Sequence, residues 1–292
     1  MHGRGPHIPS MADPSGSPDP AAVLRFYAEN GIDSVEGAAP GDLYGWTGAP
    51  ALKAPAPVPA AAPPAAAAAA PPAAGRAVSA ADAPMPPGEA VALAEAMAAG
   101  ATDIPSLAEA INAYKGCPLH AGARQAVVFD GVPGAPVLVM GEAPGRDEDR
   151  EGLPFVGRSG QLLDRMLAAI GVARAPDEGQ TPACISNAIY WRPPGNRNPT
   201  KAEVAACLPF MRRFIALSAP KVLVLTGNVP TQAIWPDAKG ITKTRGVWRS
   251  YEAEGRTIPT LPIFHPAFLL RQPARKAAAW RDLQAIREKL AA

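Results

Sequence analysis

The sequence predicts an α/β protein, a three-layer αβα arrangement around a central four-stranded, mainly parallel, twisted sheet. Two observations carry this expectation. Short, mostly apolar runs at residues 137–140, 184–189, 222–225 and 261–264 have the length and composition of strands covered on both faces. Segments of helical period lie between them, and alternating strands and helices build a parallel sheet with helices on each side.

In chain order, residues 20–30 read as a short amphipathic helix stopped by Gly31. A tether follows. Seventeen of the 36 prolines fall within the first 90 residues, and residues 35–74 carry only three charges (Glu36, Asp42, Lys53). Such an Ala/Pro-rich stretch offers too little bulky apolar surface to offset its ordering entropy. The expected organisation is an N-terminal segment (1–35), a linker (36–85) and one domain (86–292). Residues 88–99 and 106–114 read as helices broken around Gly100 and Pro105, and residues 127–129 as a strand. Residues 159–170 form a helix with Leu162, Leu163, Met166, Leu167 and Ile170 on one face and Gly171 as its stop. Thr200 and Glu203 make a capping box for a helix over 200–217. A short helix starts at Pro230, and residues 274–290 form the last one.

Charge divides unevenly. Residues 1–116 hold 5 Lys/Arg against 11 Asp/Glu, and residues 117–292 hold 23 against 15. A basic domain suits a polyanionic partner. Three cysteines, with neither a secretory signal nor an apolar run of membrane-spanning length, predict a cytoplasmic protein without a membrane partner.

Four unusual loops leave the carboxyl ends of the predicted strands, where open α/β sheets gather ligands. They are residues 141–149 (Gly-Glu-Ala-Pro-Gly, then further acids), 190–199, 226–228 and 265–271. A parallel sheet sets them side by side and brings Glu142, Asn187 and His265 into one pocket. Gly141 and Gly145 let backbone approach a planar ligand closely.

The motifs in these loops, in this order, resemble those of the family-4 uracil-DNA glycosylases. They are Gly-Glu-Ala-Pro-Gly from Gly141, Pro-Phe-Val-Gly-Arg-Ser-Gly ending at Gly160, Asn187 followed by Arg-Pro-Pro-Gly-Asn-Arg (192–197), and His265-Pro-Ala. The likeness covers residues 117–290. It implies removal of uracil from DNA by hydrolysis of the N-glycosidic bond, which needs the base flipped out of the helix. It further implies that Gly141, Ala143, Phe155, Asn187 and His265 bind uracil. Asn187 would read the O4 and N3–H edge, Phe155 would stack on the ring, and His265 would donate to O2 as negative charge builds there. Related glycosylases place an aspartate where Ala143 stands, which leaves Glu142 and Glu148 as the candidates to orient the water. Glu142 is the one expected to do so, with Glu148 shaping the site and Asn196 helping to position the water. Ser159, Gly160, Arg192, Pro193, Arg197, Leu269, Leu270, Arg271 and Arg275 are the expected DNA contacts, on a monomer acting on uracil-containing DNA.

One departure stands out. The family carries a [4Fe–4S] cluster on four cysteines, and here Cys117 and Cys207 match two of them, while Tyr114 and Trp191 occupy the other two positions. Neither aromatic supplies a ligand, so no intact cluster is expected, and the two rings are expected to fill its space with apolar packing. An alternative function is a uracil-DNA binding protein that traps its substrate covalently, although the basic His-bearing insertion of that branch is missing. A nucleotide-binding module is a third reading, weakened by the lack of a Gly-x-Gly-x-x-Gly fingerprint.

Overall fold

The computed structural model describes residues 85–292. The expected helix at residues 20–30 and the Ala/Pro tether lie outside the described residues. Seven strands are described: β1 (Phe129–Gly131), β2 (Val137–Gly141), β3 (Val172–Ala173), β4 (Thr181–Asn187), β5 (Val222–Thr226), β6 (Arg249–Ala253) and β7 (Arg256–Ile263). The sheet runs in the order β1-β4-β2-β5-β7-β6, and β3 pairs with the start of β4. The four inner strands β4, β2, β5 and β7 are mutually parallel. They are the four of the expected sheet, and β1 and β6 flank them as antiparallel edges.

β2 explains the layering. All five of its residues are buried, yet they divide between two cores: Leu138 and Met140 join one, Val137 and Val139 the other. Successive side chains of a strand point to opposite faces, so an uninterrupted apolar run feeds both. On one face lie helices α1 (Pro87–Gly100), α2 (Ile104–Ala113), α5 (Lys201–Ser218) and α6 (Asn228–Ile234), which contribute Ala94, Leu107, Phe210 and Ile234. On the other lie α4 (Arg158–Ala168), α8 (Pro266–Arg271) and α9 (Lys276–Ala291), with Leu163, Leu269 and Leu283. Two further short helices, α3 (Arg146–Glu151) and α7 (Ile241–Thr244), complete the described α-helices.

The amphipathic helices fall where their periodicity puts them. The capping box of α5 forms: Glu203 N donates to Thr200 Oγ1 at 3.2 Å, and Thr200 N donates to Glu203 Oε2 at 2.7 Å. α2 starts earlier than expected and runs through Pro105, because Asp103 caps it and leaves the proline in the first turn. Three local expectations change. The strand expected at 127–129 lies at Phe129–Gly131, and it is antiparallel. β7 begins at Arg256 and pairs with β6 through a tight turn in which Glu254 and Gly255 both have positive φ. The 141–149 and 265–271 loops each contain a helix, α3 and α8.

Candidate active site

Register brings the first two site residues together. Gly141 at the end of β2 is paired with Asn187 at the end of β4. On the other side of β2, Thr226 of β5 is paired with Ile263 of β7, two residues before His265. These carboxyl ends surround a pocket of about 400 Å³ that includes Glu142, Phe155, Asn187, His265 and Arg271 in its wall. The three residues that the loops were expected to unite are therefore in one cavity. The loop at 226–228 serves differently. Gly227, at φ +92°, would carry a Cβ only 3.3 Å from the Cβ of His265, so its backbone is the surface on which that residue rests.

Gly141 is the tightest point of the pocket. A side chain there would collide with Asn187 Oδ1 and with the ring of Phe155. Asn187 is buried, and its amide makes no hydrogen bond with any described residue while lining the cavity. A buried amide that lines a polar cavity without a protein partner keeps its donor and its acceptor free for a polar group that enters the cavity. Phe155 is buried beside it in left-handed backbone geometry (φ 55°), its ring stacked on His265 with centroids 5.4 Å apart.

His265 caps α8, and its Nδ1 accepts from the backbone N–H of Ala267 at 3.1 Å. Accepting there requires Nδ1 to be unprotonated, so the neutral ring carries its proton on Nε2 and can donate from it. Burial, assisted by the positive charge of Arg271, pushes the His265 pKa down to about 4. At neutral pH the ring is a neutral donor.

The two candidate carboxylates have different fates. Glu148 is buried and clamped: its Oε2 accepts from Gly145 N at 3.0 Å and its Oε1 from Gly157 N at 3.1 Å. It ties the first loop to the loop carrying Phe155. Glu142 lines the pocket and accepts no hydrogen bond from a described residue. Burial raises its pKa above the ordinary carboxylate value, and Arg271 opposes the rise.

The rim divides likewise. Arg192 donates to Asn196 Oδ1 at 2.7 Å and so orders the turn in which Asn196 adopts φ 55°. Arg197 makes a bidentate pair with the buried Glu203, at 2.9 and 2.6 Å, which ties the 190–199 loop to the start of α5. Its charge is paired within the fold, while its side chain stays 43% exposed on the pocket wall. Leu269 is only 1% exposed and belongs to the core under α8, so it is not free to enter a DNA stack. Gly160 is buried, and a side chain there would strike the Phe155 carbonyl. Leu270 and Ser159 are half-buried, Pro193 is a buried part of the pocket wall, and Arg271 and Arg275 are exposed. Sequence reasoning missed Arg174, whose guanidinium holds the backbone of Pro154 and Phe155; a single arginine in a short, weakly patterned segment gave no signal.

The residues around Cys117 and Cys207 do not fit a four-thiolate cluster. Tyr114 and Trp191 are buried in the same core as both cysteines, with ring centroids 6.1 Å apart, and Tyr114 packs edge-on to Phe210 at 5.0 Å. The packing is not wholly apolar, since the Tyr114 hydroxyl donates to the Ala90 carbonyl at 2.7 Å. The hydrogen bond between the two thiols, with burial, pushes the Cys207 pKa far above its ordinary range, and the same hydrogen bond lowers that of Cys117. Among the described residues no group of three or more His, Cys, Asp or Glu side chains could hold a metal ion, and no helix is long and apolar enough to cross a membrane.

Residues 129–284 match the profile of the Uracil DNA glycosylase superfamily. The chain is also similar to proteins named type-4 uracil-DNA glycosylase. It is 36% identical to that of Sulfurisphaera tokodaii over 193 residues, which is 63% of this chain and 84% of the relative. Identity to the Pyrobaculum aerophilum protein is 34% over 185 residues, 62% of this chain and 91% of the relative. With the Thermotoga maritima protein it is 36% over 167 residues, 56% and 82% of the two chains.

Proposed function

The chain belongs to the uracil DNA glycosylase superfamily, and on that premise we infer that it is a type-4 uracil-DNA glycosylase. It is a hydrolase that cleaves the N-glycosidic bond of uracil flipped out of DNA and so opens base-excision repair, with uracil-containing DNA as its substrate. One observation carries the assignment of roles. A neutral His265 with its proton on Nε2 shares a pocket with an unpartnered buried amide, Asn187.

The chemistry follows from these groups. Breaking the bond leaves positive charge on the sugar and negative charge on the departing base. Asn187 pairs with the O4 and N3–H edge of uracil, with Phe155 against its ring and Gly141 and Ala143 forming the wall it slides along. His265 donates to O2, where the anion's charge gathers, and an aimed donor in a dry site lowers such a barrier by a few kcal/mol. Glu142 orients the water that attacks the sugar carbon and takes its proton; a raised carboxylate pKa suits that work. Glu148 acts as the clamp between loops, and Asn196 holds the turn opposite. DNA lies across Ser159, Arg192, Pro193, Leu270, Arg271 and Arg275, which hold the flanking backbone and fill the gap left by the base.

The same reading has the protein working as a cytoplasmic monomer without a [4Fe–4S] cluster. Protein purified in air should be colourless and contain no stoichiometric iron; broad brown absorbance with bound iron would overturn this. A labelled uracil-containing oligonucleotide tests the activity: free uracil and an abasic strand are expected. An intact strand, or a covalent protein–DNA adduct in place of free uracil, would sink the reading.

A further inference from the structure

The loop that carries Phe155 is fixed at more points than its length requires. Glu148 accepts from Gly157 N at one end, and the Phe155 carbonyl lies against the bare Cα of Gly160 at the other. Between them sits Arg174, directly after β3 and 44 residues in sequence from Asp130. Its Nη1 donates to the carbonyl of Pro154 at 2.9 Å and to Asp130 Oδ2 at 2.8 Å. Its Nη2 donates to the carbonyl of Phe155 at 3.0 Å, and its Nε donates to Asp164 Oδ1 at 2.8 Å. The guanidinium thus gathers the sheet edge, α4 and two consecutive backbone carbonyls, with its side chain only 14% exposed.

Phe155 needs such a hold. A phenylalanine at φ 55° occupies backbone space that residues with a Cβ rarely enter, and it stays there only when its surroundings over-determine it. Two buried carbonyls also need donors, which a planar fork supplies in a fixed direction and a lysine does not. Asp130 and Asp164 offset the charge of the fork, so Arg174 acts by aim rather than by field.

We propose that Arg174 is a positioning residue for the base pocket: by holding the carbonyls of Pro154 and Phe155 it sets the Phe155 ring against Gly141 and His265, where uracil must stack. This rests on the uracil-pocket reading above, and it assigns a role to a residue outside the pocket wall. Displacement of a stacking surface by about 1 Å is enough to cost on the order of a hundredfold in a positioned reaction.

The experiment uses the full chain and four variants: Arg174→Met, Arg174→Lys, Asp164→Asn and Phe155→Ala. Single-turnover excision of uracil is measured beside amide hydrogen exchange over residues 155–161. Arg174→Met should lose about tenfold or more in single-turnover rate, with affinity for uracil-free DNA unchanged. Arg174→Lys, which keeps the ion pairs, should still lose several-fold. Asp164→Asn breaks an ion pair without releasing a carbonyl and should stay within about twofold of the parent. Adding Arg174→Met to Phe155→Ala should cost no more than Phe155→Ala alone, because the arginine acts through that ring. Exchange over residues 155–161 should accelerate in both arginine variants only. Additive losses, parental rates in both arginine variants, or unchanged exchange would overturn the proposal. If Arg174→Met fails to fold, Arg174→Lys decides. If the parent releases no uracil, the activity reading falls, and the exchange pattern still judges Arg174.

Discussion

His265 and Glu142 share one electrostatic neighbour, Arg271, and it pushes both pKa values downward. Burial works on the two in opposite directions, since it disfavours the charged form of each: it lowers the histidine and raises the carboxylate. His265, pushed down to about 4, stays uncharged to well below neutral pH. The acid limb of the pH–rate profile should therefore belong to Glu142 and lie above the ordinary carboxylate value. Replacing Glu142 with Gln should cut the single-turnover rate about a hundredfold or more and remove that limb; a limb that survives in the variant would assign it elsewhere. Arg271→Met removes the cation that favours ionised Glu142. Its acid limb should then move to higher pH, and the His265 pKa, read by NMR, should rise toward its ordinary value. A limb that moves to lower pH would show that Arg271 does not act on Glu142.

At the scale of elements, the site is built from strand ends that the apolar runs made legible, although not the order of the strands across the sheet. Glu142, Asn187 and His265 could be grouped from sequence because each follows a buried parallel strand. The helices α3 and α8 were hidden because each is six residues long and polar or proline-led, too short for an apolar period to show. The β6–β7 hairpin was hidden by the opposite fault: β6 alternates half-buried and exposed residues, and Pro259 and Pro262 interrupt β7. Side-chain commitments such as the Arg197–Glu203 pair or the Glu148 clamp depend on where loops close, which no spacing encodes. Gly141 tests whether the β2–β4 junction is as tight as drawn. Gly141→Ala places a methyl group against Asn187 Oδ1 and the Phe155 ring, and both are buried and cannot yield cheaply. It should cost about 1–3 kcal/mol of stability, by overpacking, and lower excision at least tenfold. Gly88→Ala, in α1 where nothing lies within 4 Å of the new methyl, should leave excision unchanged and should not lower stability. Equal behaviour of the two variants would mean that the pocket wall is looser than its register suggests.

For the molecule as a whole, charge and packing act on different steps. Both cores lie within the described residues, and the proposed DNA contacts sit on loops and helix starts around the carboxyl ends of the strands. Residues 117–292 carry eight more basic than acidic side chains, but total charge overstates what reaches phosphate. Arg174, Arg197, Arg213 and Arg245 are each paired with a carboxylate of the same chain, an exposed one (Glu254) in the case of Arg213. On the proposed rim, Arg192, Arg271 and Arg275 remain. Each phosphate neutralised releases condensed counterions, so log Kobs against log salt should have a slope of roughly −0.9 per contact on duplex DNA, about −3 for three contacts. Arg275→Met should reduce the magnitude of that slope by about one and weaken binding alike for uracil-containing and uracil-free DNA. Arg197→Met should leave the slope unchanged and instead lower the melting temperature, because it strands the buried Glu203 carboxylate at the start of α5. Fluorescence anisotropy across a salt series, run beside thermal melts, separates the two. An Arg197 variant with a shallower slope and a parental melting temperature would move that arginine to the DNA and leave the anchoring of the 190–199 loop without its cause.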